Sequence, residues 1–139
     1  MTEATEASDN WLPVEVYDPD FVRSVQDHIE SLRALAPDWD GYSAPVIHPA
    51  VIEAAKSFVA RLPDKLAFRP RVVPGANGNL QLEWHDGPKS LELEFESPES
   101  IRYLQWHPEA GVEEEDSFPV MDINKAVDLI RWFMTGAYR

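Results

Sequence analysis

The chain contains no cysteine, which excludes disulfides, thiolate metal sites and cysteine nucleophiles. Bases are scarce as well: 12 Lys and Arg stand against 25 Asp and Glu, a net charge of −13 with the histidines neutral. Nucleic-acid binding needs clustered Lys and Arg to displace counterions from phosphates, so this balance argues against a nucleic-acid partner. Apolar runs are only a few residues long, too short for a membrane span. The opening MTEATEASDNW has neither the basic nor the apolar stretch of a secretory signal, and the expectation is a cytoplasmic protein. Phosphate-cradling loops of the G-x-x-x-x-G-K-[ST] or G-x-G-x-x-G type are missing, as are a G-x-S-x-G elbow and an H-E-x-x-H pair.

What remains is an ordinary soluble composition, 44% apolar in 139 residues, long enough to bury roughly two-thirds of the unfolded surface in one core. The charge is unevenly spread. Residues 1–20 hold six acids and no base, and residues 80–116 hold eleven acids and two bases. Residues 1–16 read as a mobile acidic tail, and residues 17–139 as a single domain.

Asp18, Pro19 and Asp20 are helix-start residues, and Phe21, Val25, Ile29, Leu32 and Leu35 recur at helical spacing, predicting a helix over about 19–35. Pro49 opens a second stripe through Val51, Ile52, Ala55, Phe58, Val59 and Leu62, closed by Pro63. From Arg71 the period becomes two. Short strands are predicted at Val72–Val73, Leu80–His85, Leu91–Glu96 and Ile101–Trp106, with turns at Gly75–Asn79 and Asp86–Lys89. Residues 108–118 read as an acidic loop, and Asp122 caps a last helix built on Ile123, Ala126, Val127, Ile130, Phe133 and Met134. The expected architecture is an α+β two-layer sandwich of order α-α-β-β-β-β-α, a four-stranded antiparallel meander with the helices on one face.

Pairing about the Asp86–Lys89 turn sets Trp84 opposite Leu91, Leu82 opposite Leu93 and Leu80 opposite Phe95, placing every apolar residue on one face. The other face then collects Glu83 with Glu92 and Gln81 with Glu94, an unfavourable juxtaposition with Arg102 as the only base expected to help. Leu104 and Trp106 join that outer face unless a bulge reverses the fourth strand. Glu83, Glu92, Glu94, Glu96, Leu104, Trp106 and the run Glu113, Glu114, Glu115 and Asp116 are therefore the candidate binding residues for a basic protein: aromatic anchors within a negative field.

The string Asp38–Trp39–Asp40–Gly41–Tyr42 has two readings. In the structural one, Trp39 and Tyr42 tuck into the core edge while Asp40 satisfies loop amides about Gly41. In the other, the two rings and Asp40 line a small-ligand or catalytic notch. His85 with Glu83, Asp86 or His107 lacks any metal-site signature, and an acidic nuclease centre at Asp40, Glu83 and Glu92 lacks its Glu-x-Lys companion. No catalytic residue, metal or cofactor is expected.

The string Trp39–Asp40–Gly41–Tyr42–Ser43–Ala44–Pro45, followed by a proline-started helix and by Leu80–Gln81–Leu82–Glu83–Trp84 and Leu91–Glu92–Leu93–Glu94–Phe95, resembles a group of small bacterial proteins with a W-D-G-Y-G-A-P motif and no known activity. The likeness covers residues 37–96. It implies bacterial origin, cytoplasmic residence and an accessory role. Ser43 replaces the group's glycine, implying a backbone that does not need glycine there. The function expected from all of this is a non-enzymatic acidic interaction module, an antitoxin- or immunity-like neutralising partner or a regulatory subunit. A ligand-binding or enzymatic domain at the Trp39 notch and a DNA-mimicking inhibitor are the alternatives; self-association stays open.

Overall fold

The computed structural model describes residues 20–63 and 69–135. The expected tail, with Asp18 and Pro19, lies outside the described residues. Helix α1 (Phe21–Ser31) continues into a 3-10 turn, Leu32–Ala34, and buries Phe21, Val25, Ile29 and Leu32. Helix α2 (Pro49–Ala60) begins on its proline, where the missing N–H is one the helix does not use. Its buried residues are Val51, Ile52, Ala55, Phe58 and Val59. Helix α3 (Ile123–Thr135) is capped as expected, Asp122 Oδ1 accepting from the Lys125 amide at 3.2 Å.

Between α2 and α3 run five antiparallel strands in sequential order: β1 (Arg71–Pro74), β2 (Leu80–Asp86), β3 (Lys89–Phe95), β4 (Ser100–His107) and β5 (Val112–Pro119). The β2–β3 register is the one the alternation requires, with Trp84 against Leu91, Leu82 against Leu93 and Leu80 against Phe95. Gly87 at φ 60° followed by Pro88 has the sign pattern of a type II′ turn, whose twist suits a two-residue hairpin. The inner sheet residues and the apolar stripes of all three helices form one core cluster, Phe58 meeting Phe95 edge to face at 5.3 Å. All three helices thus cover the same side of the sheet.

The sheet has five strands, not four, because residues 112–119 are not a loop. β5 pairs along the whole of β4 from His107–Val112 to Ser100–Pro119, yet only Phe118 is buried. An edge strand with both faces wet has no apolar alternation to announce it, and its run of acids discourages pairing with a further strand. Lys89 is a second departure. Its side chain is buried with the ammonium 5.0 Å from the Trp132 ring centre and 5.7 Å from that of Phe133, a pair of cation–π contacts joining the hairpin to α3.

α1 and α2 are linked by a charge cluster at the surface. Glu30 accepts from Arg33 Nε at 2.6 Å and from Lys56 Nζ at 2.9 Å, and Arg33 also pairs with Glu53. The hydrogen bonds from Arg33 and Lys56 hold the Glu30 carboxyl at about 2, below its ordinary 4.5. A depressed acid adds stability above its unfolded value and loses it as pH falls through the folded value. Replacing Glu30 by Gln should therefore lower the melting temperature most above pH ~5, with the gap to wild type closing toward pH ~2. Thermal melts at low ionic strength across that range measure it, and a gap that does not change with pH would contradict the assignment.

Candidate functional site

The sheet side away from the helices is built from three cross-strand rows. Arg71, Glu83, Glu92, Leu104 and Glu115 form the first, in strand order. Val73, Gln81, Glu94, Arg102 and Ser117 form the second, and His85, Ser90, Trp106 and Glu113 the third. The β4 register is continuous, so Leu104 and Trp106 face outward with the glutamates. Trp106 is 38% exposed, a large ring held at the water boundary. Glu96 sits at the end of the face, accepting from the hydroxyls of Ser100 and Ser117 at 2.8 and 3.1 Å.

The acidic run of β5 is divided by the pleat. Glu113 and Glu115 lie on the outer face, whereas Glu114 and Asp116 share the side of Tyr103 and Phe118. Glu114 accepts from the Tyr103 hydroxyl at 3.0 Å; burial and this bond push the Tyr103 phenol up to about 12. Lys125 Nζ lies 5.0 Å from the centre of the same ring. Glu114 and Asp116, expected in an acidic loop beside the outer face, thus lie on the opposite side of β5 from Glu113 and Glu115.

Two guanidiniums temper the outer face. Arg102 is across from Glu94 but bonds Glu115 through Nε at 3.1 Å and Nη2 at 3.0 Å. Arg71, which sequence reasoning missed, stands across from Glu83. Glu83 and Glu92 nevertheless oppose each other directly. Burial raises the Glu92 carboxyl above its ordinary value and repulsion from Glu83 raises it further. Gln81 Nε2 donates to one Glu83 oxygen, and His85 Nε2 is 3.1 Å from the other. Ligand atoms of Glu83, His85 and Glu92 all lie within 4.8 Å of one another. His107 does not join them, because its register partner is Val112 and it falls on the opposite side of the pleat from Trp106. A cleft of about 430 Å³ opens beside the cluster, where β1 stops short of the end of β2; Arg69, Arg71, Glu83, His85 and Phe133 are among its walls.

The loop between α1 and α2 is held by side-chain carboxylates that accept from its backbone amides. Asp40 Oδ1 accepts from the amides of Tyr42 at 2.8 Å and Ala44 at 3.1 Å, while Asp38 Oδ1 accepts from Ser43 at 2.7 Å. Trp39 packs against the core and donates Nε1–H to the Pro45 carbonyl at 2.9 Å. Tyr42 does not tuck in: it is 88% exposed, so its ring shares no notch wall with Trp39. Ser43 has φ 69°, in the left-handed region, as do Asp38 at 65° and Gly41 at 78°. The backbone at position 43 is therefore one that favours glycine, contrary to the expectation drawn from the serine. These bonds support the structural reading of Asp40.

No family model, curated protein or solved structure matches the chain. Among the described residues no helix is long and apolar enough to cross a membrane.

Three outcomes follow from this geometry. Asp40→Ala, which leaves two loop amides without their acceptor, should lower stability by about 1–3 kcal/mol, and Ser43→Gly should raise it by up to about 1 kcal/mol; urea unfolding of both variants decides. Glu92→Gln should raise the melting temperature at neutral pH. An acid with a raised folded value binds protons more readily when folded, so ionising it costs stability as pH rises, and the gain should vanish in acid where Glu92 is protonated.

Proposed function

We propose that the outer sheet face binds a basic protein, making the chain a non-enzymatic interaction module of the neutralising-partner or regulatory-subunit kind. The observation that carries this reading is the composition of the face. Glu83, Glu92, Glu94, Glu96, Glu113 and Glu115 stand there against Arg71 and Arg102, around the outward pair Leu104 and Trp106. Like charges placed side by side weaken the free sheet, and a partner's Lys and Arg would relieve that repulsion on docking. The carboxylates then steer encounter and select the partner, while affinity comes from covering Trp106 and Leu104. A nucleic acid would meet the same field as repulsion.

The test uses the full chain, in buffer containing a chelator, with a basic protein that co-purifies with it. Affinity should fall roughly tenfold or more when salt rises from about 50 to about 200 mM. Reversing Glu92 and Glu94 to lysine should abolish binding, whereas reversing Asp27 and Asp128, exposed on α1 and α3, should leave it within about twofold at the same net charge. Equal losses in the two double variants, or binding indifferent to salt, would refute the face as the docking surface.

A further inference from the structure

The donor set at Glu83, His85 and Glu92 is mixed: one imidazole nitrogen and two carboxylates converge from adjacent strands. Nitrogen and oxygen donors together suit zinc, cobalt, nickel or manganese, whereas calcium and magnesium prefer oxygen alone. Neighbouring ligands on a tetrahedral ion with bonds of ~2.1 Å lie about 3.4 Å apart. The three donor atoms, all within 4.8 Å of one another, come to that spacing by side-chain rotation without a change of strand register.

Three further features fit a cation rather than a solvated surface pair. The Glu83 side chain is only 12% exposed although it belongs to the outer face. Gln81 holds the Glu83 oxygen that His85 does not contact, the outer-shell support that orients a ligating carboxylate. The cleft beside the cluster, walled by Glu83, His85 and Asp86 together with Arg69 and Arg71, gives an approach to two of the three donors. Arg71, across from Glu83, does not neutralise Glu92, which faces Glu83 on one side and Leu104 on the other.

We propose that Glu83, His85 and Glu92 bind one divalent transition-metal ion, of the zinc or cobalt type, on the open face of the sheet. The ion replaces the repulsion between the two glutamates with a shared attraction and ties β2 to β3 at its middle. This site does not depend on the basic-protein reading, since the isolated chain is sufficient for binding.

Calorimetric titration of the untagged full chain with Zn²⁺ alone should give one saturable equivalent that a large excess of Mg²⁺ does not displace. His85→Ala and Glu92→Gln should each weaken it at least tenfold, while His48→Gln and His107→Gln should leave it within about twofold. Zn²⁺ should also raise the melting temperature of wild type but not of Glu92→Gln. Because that variant removes a repulsion in the metal-free sheet, it should be at least as stable as wild type without metal, so loss of the zinc response would not reflect misfolding. No saturation at one equivalent, or unchanged affinity in His85→Ala and Glu92→Gln, would overturn the site. Run in chelator, the partner measurement fails or succeeds without reference to this one.

Discussion

The period-two alternation of the β2–β3 hairpin constrains everything else. Leu80, Leu82 and Trp84 have to meet Phe95, Leu93 and Leu91 on one side, because a slip of one residue would turn the three of one strand to the opposite face from the three of the other. Once that register is set, Glu83 and Glu92 are forced together on the other side. The core thereby dictates an electrostatic conflict on the surface, which the sheet relieves only in part through Arg71, Gln81, His85 and the Arg102–Glu115 pair. The adjacency of the outer carboxylates is a consequence of the hairpin register, and their proposed roles toward a cation or a basic protein both follow from the unresolved remainder of that conflict.

Among the described residues, the helical layer leaves this surface open. α1, α2 and α3 bury their stripes in a single cluster on the inner face, with Lys89 stacked under Trp132 and Phe133. The loop between α1 and α2 is fixed by Asp38 and Asp40 as backbone acceptors, which accommodates three left-handed residues in a row of six. It holds Trp39 in and projects Tyr42 out. Local polar bonds therefore shape this corner, while apolar burial shapes the sheet and helices.

What could be read from the sequence follows the same division. Elements with one buried face, the three helices and the central strands, were legible because burial imposes a period, and the hairpin register came with it; the outward placement of Leu104 and Trp106 stayed open in the sequence, because a bulge would have reversed it, and the continuous β4 register decides it. β5 was not legible: exposed on both faces, it carries acids where a half-buried strand would alternate, and Phe118 alone marks it. Tyr42 was expected inward because aromatics usually are, but the turn at Gly41 and Ser43 directs it outward. Arg71 was missed because β1 was read as two residues and given no register. The Glu83–His85–Glu92 cluster was visible in principle, since the expected register already set Glu92 beside that pair; motif spacing within one segment does not find ligands that arrive across a strand.

The central claim is that the hairpin glutamates form an uncovered surface that recognises cationic side chains of another protein. Backbone and indole chemical-shift mapping of the full chain, with an oligolysine peptide added in chelator, addresses it most directly. The account predicts shifts concentrated at Glu83, Glu92, Glu94, Arg102 and the Trp106 indole, fading as salt is raised. Shifts confined to the helices, or spread evenly over every acidic residue, would contradict it.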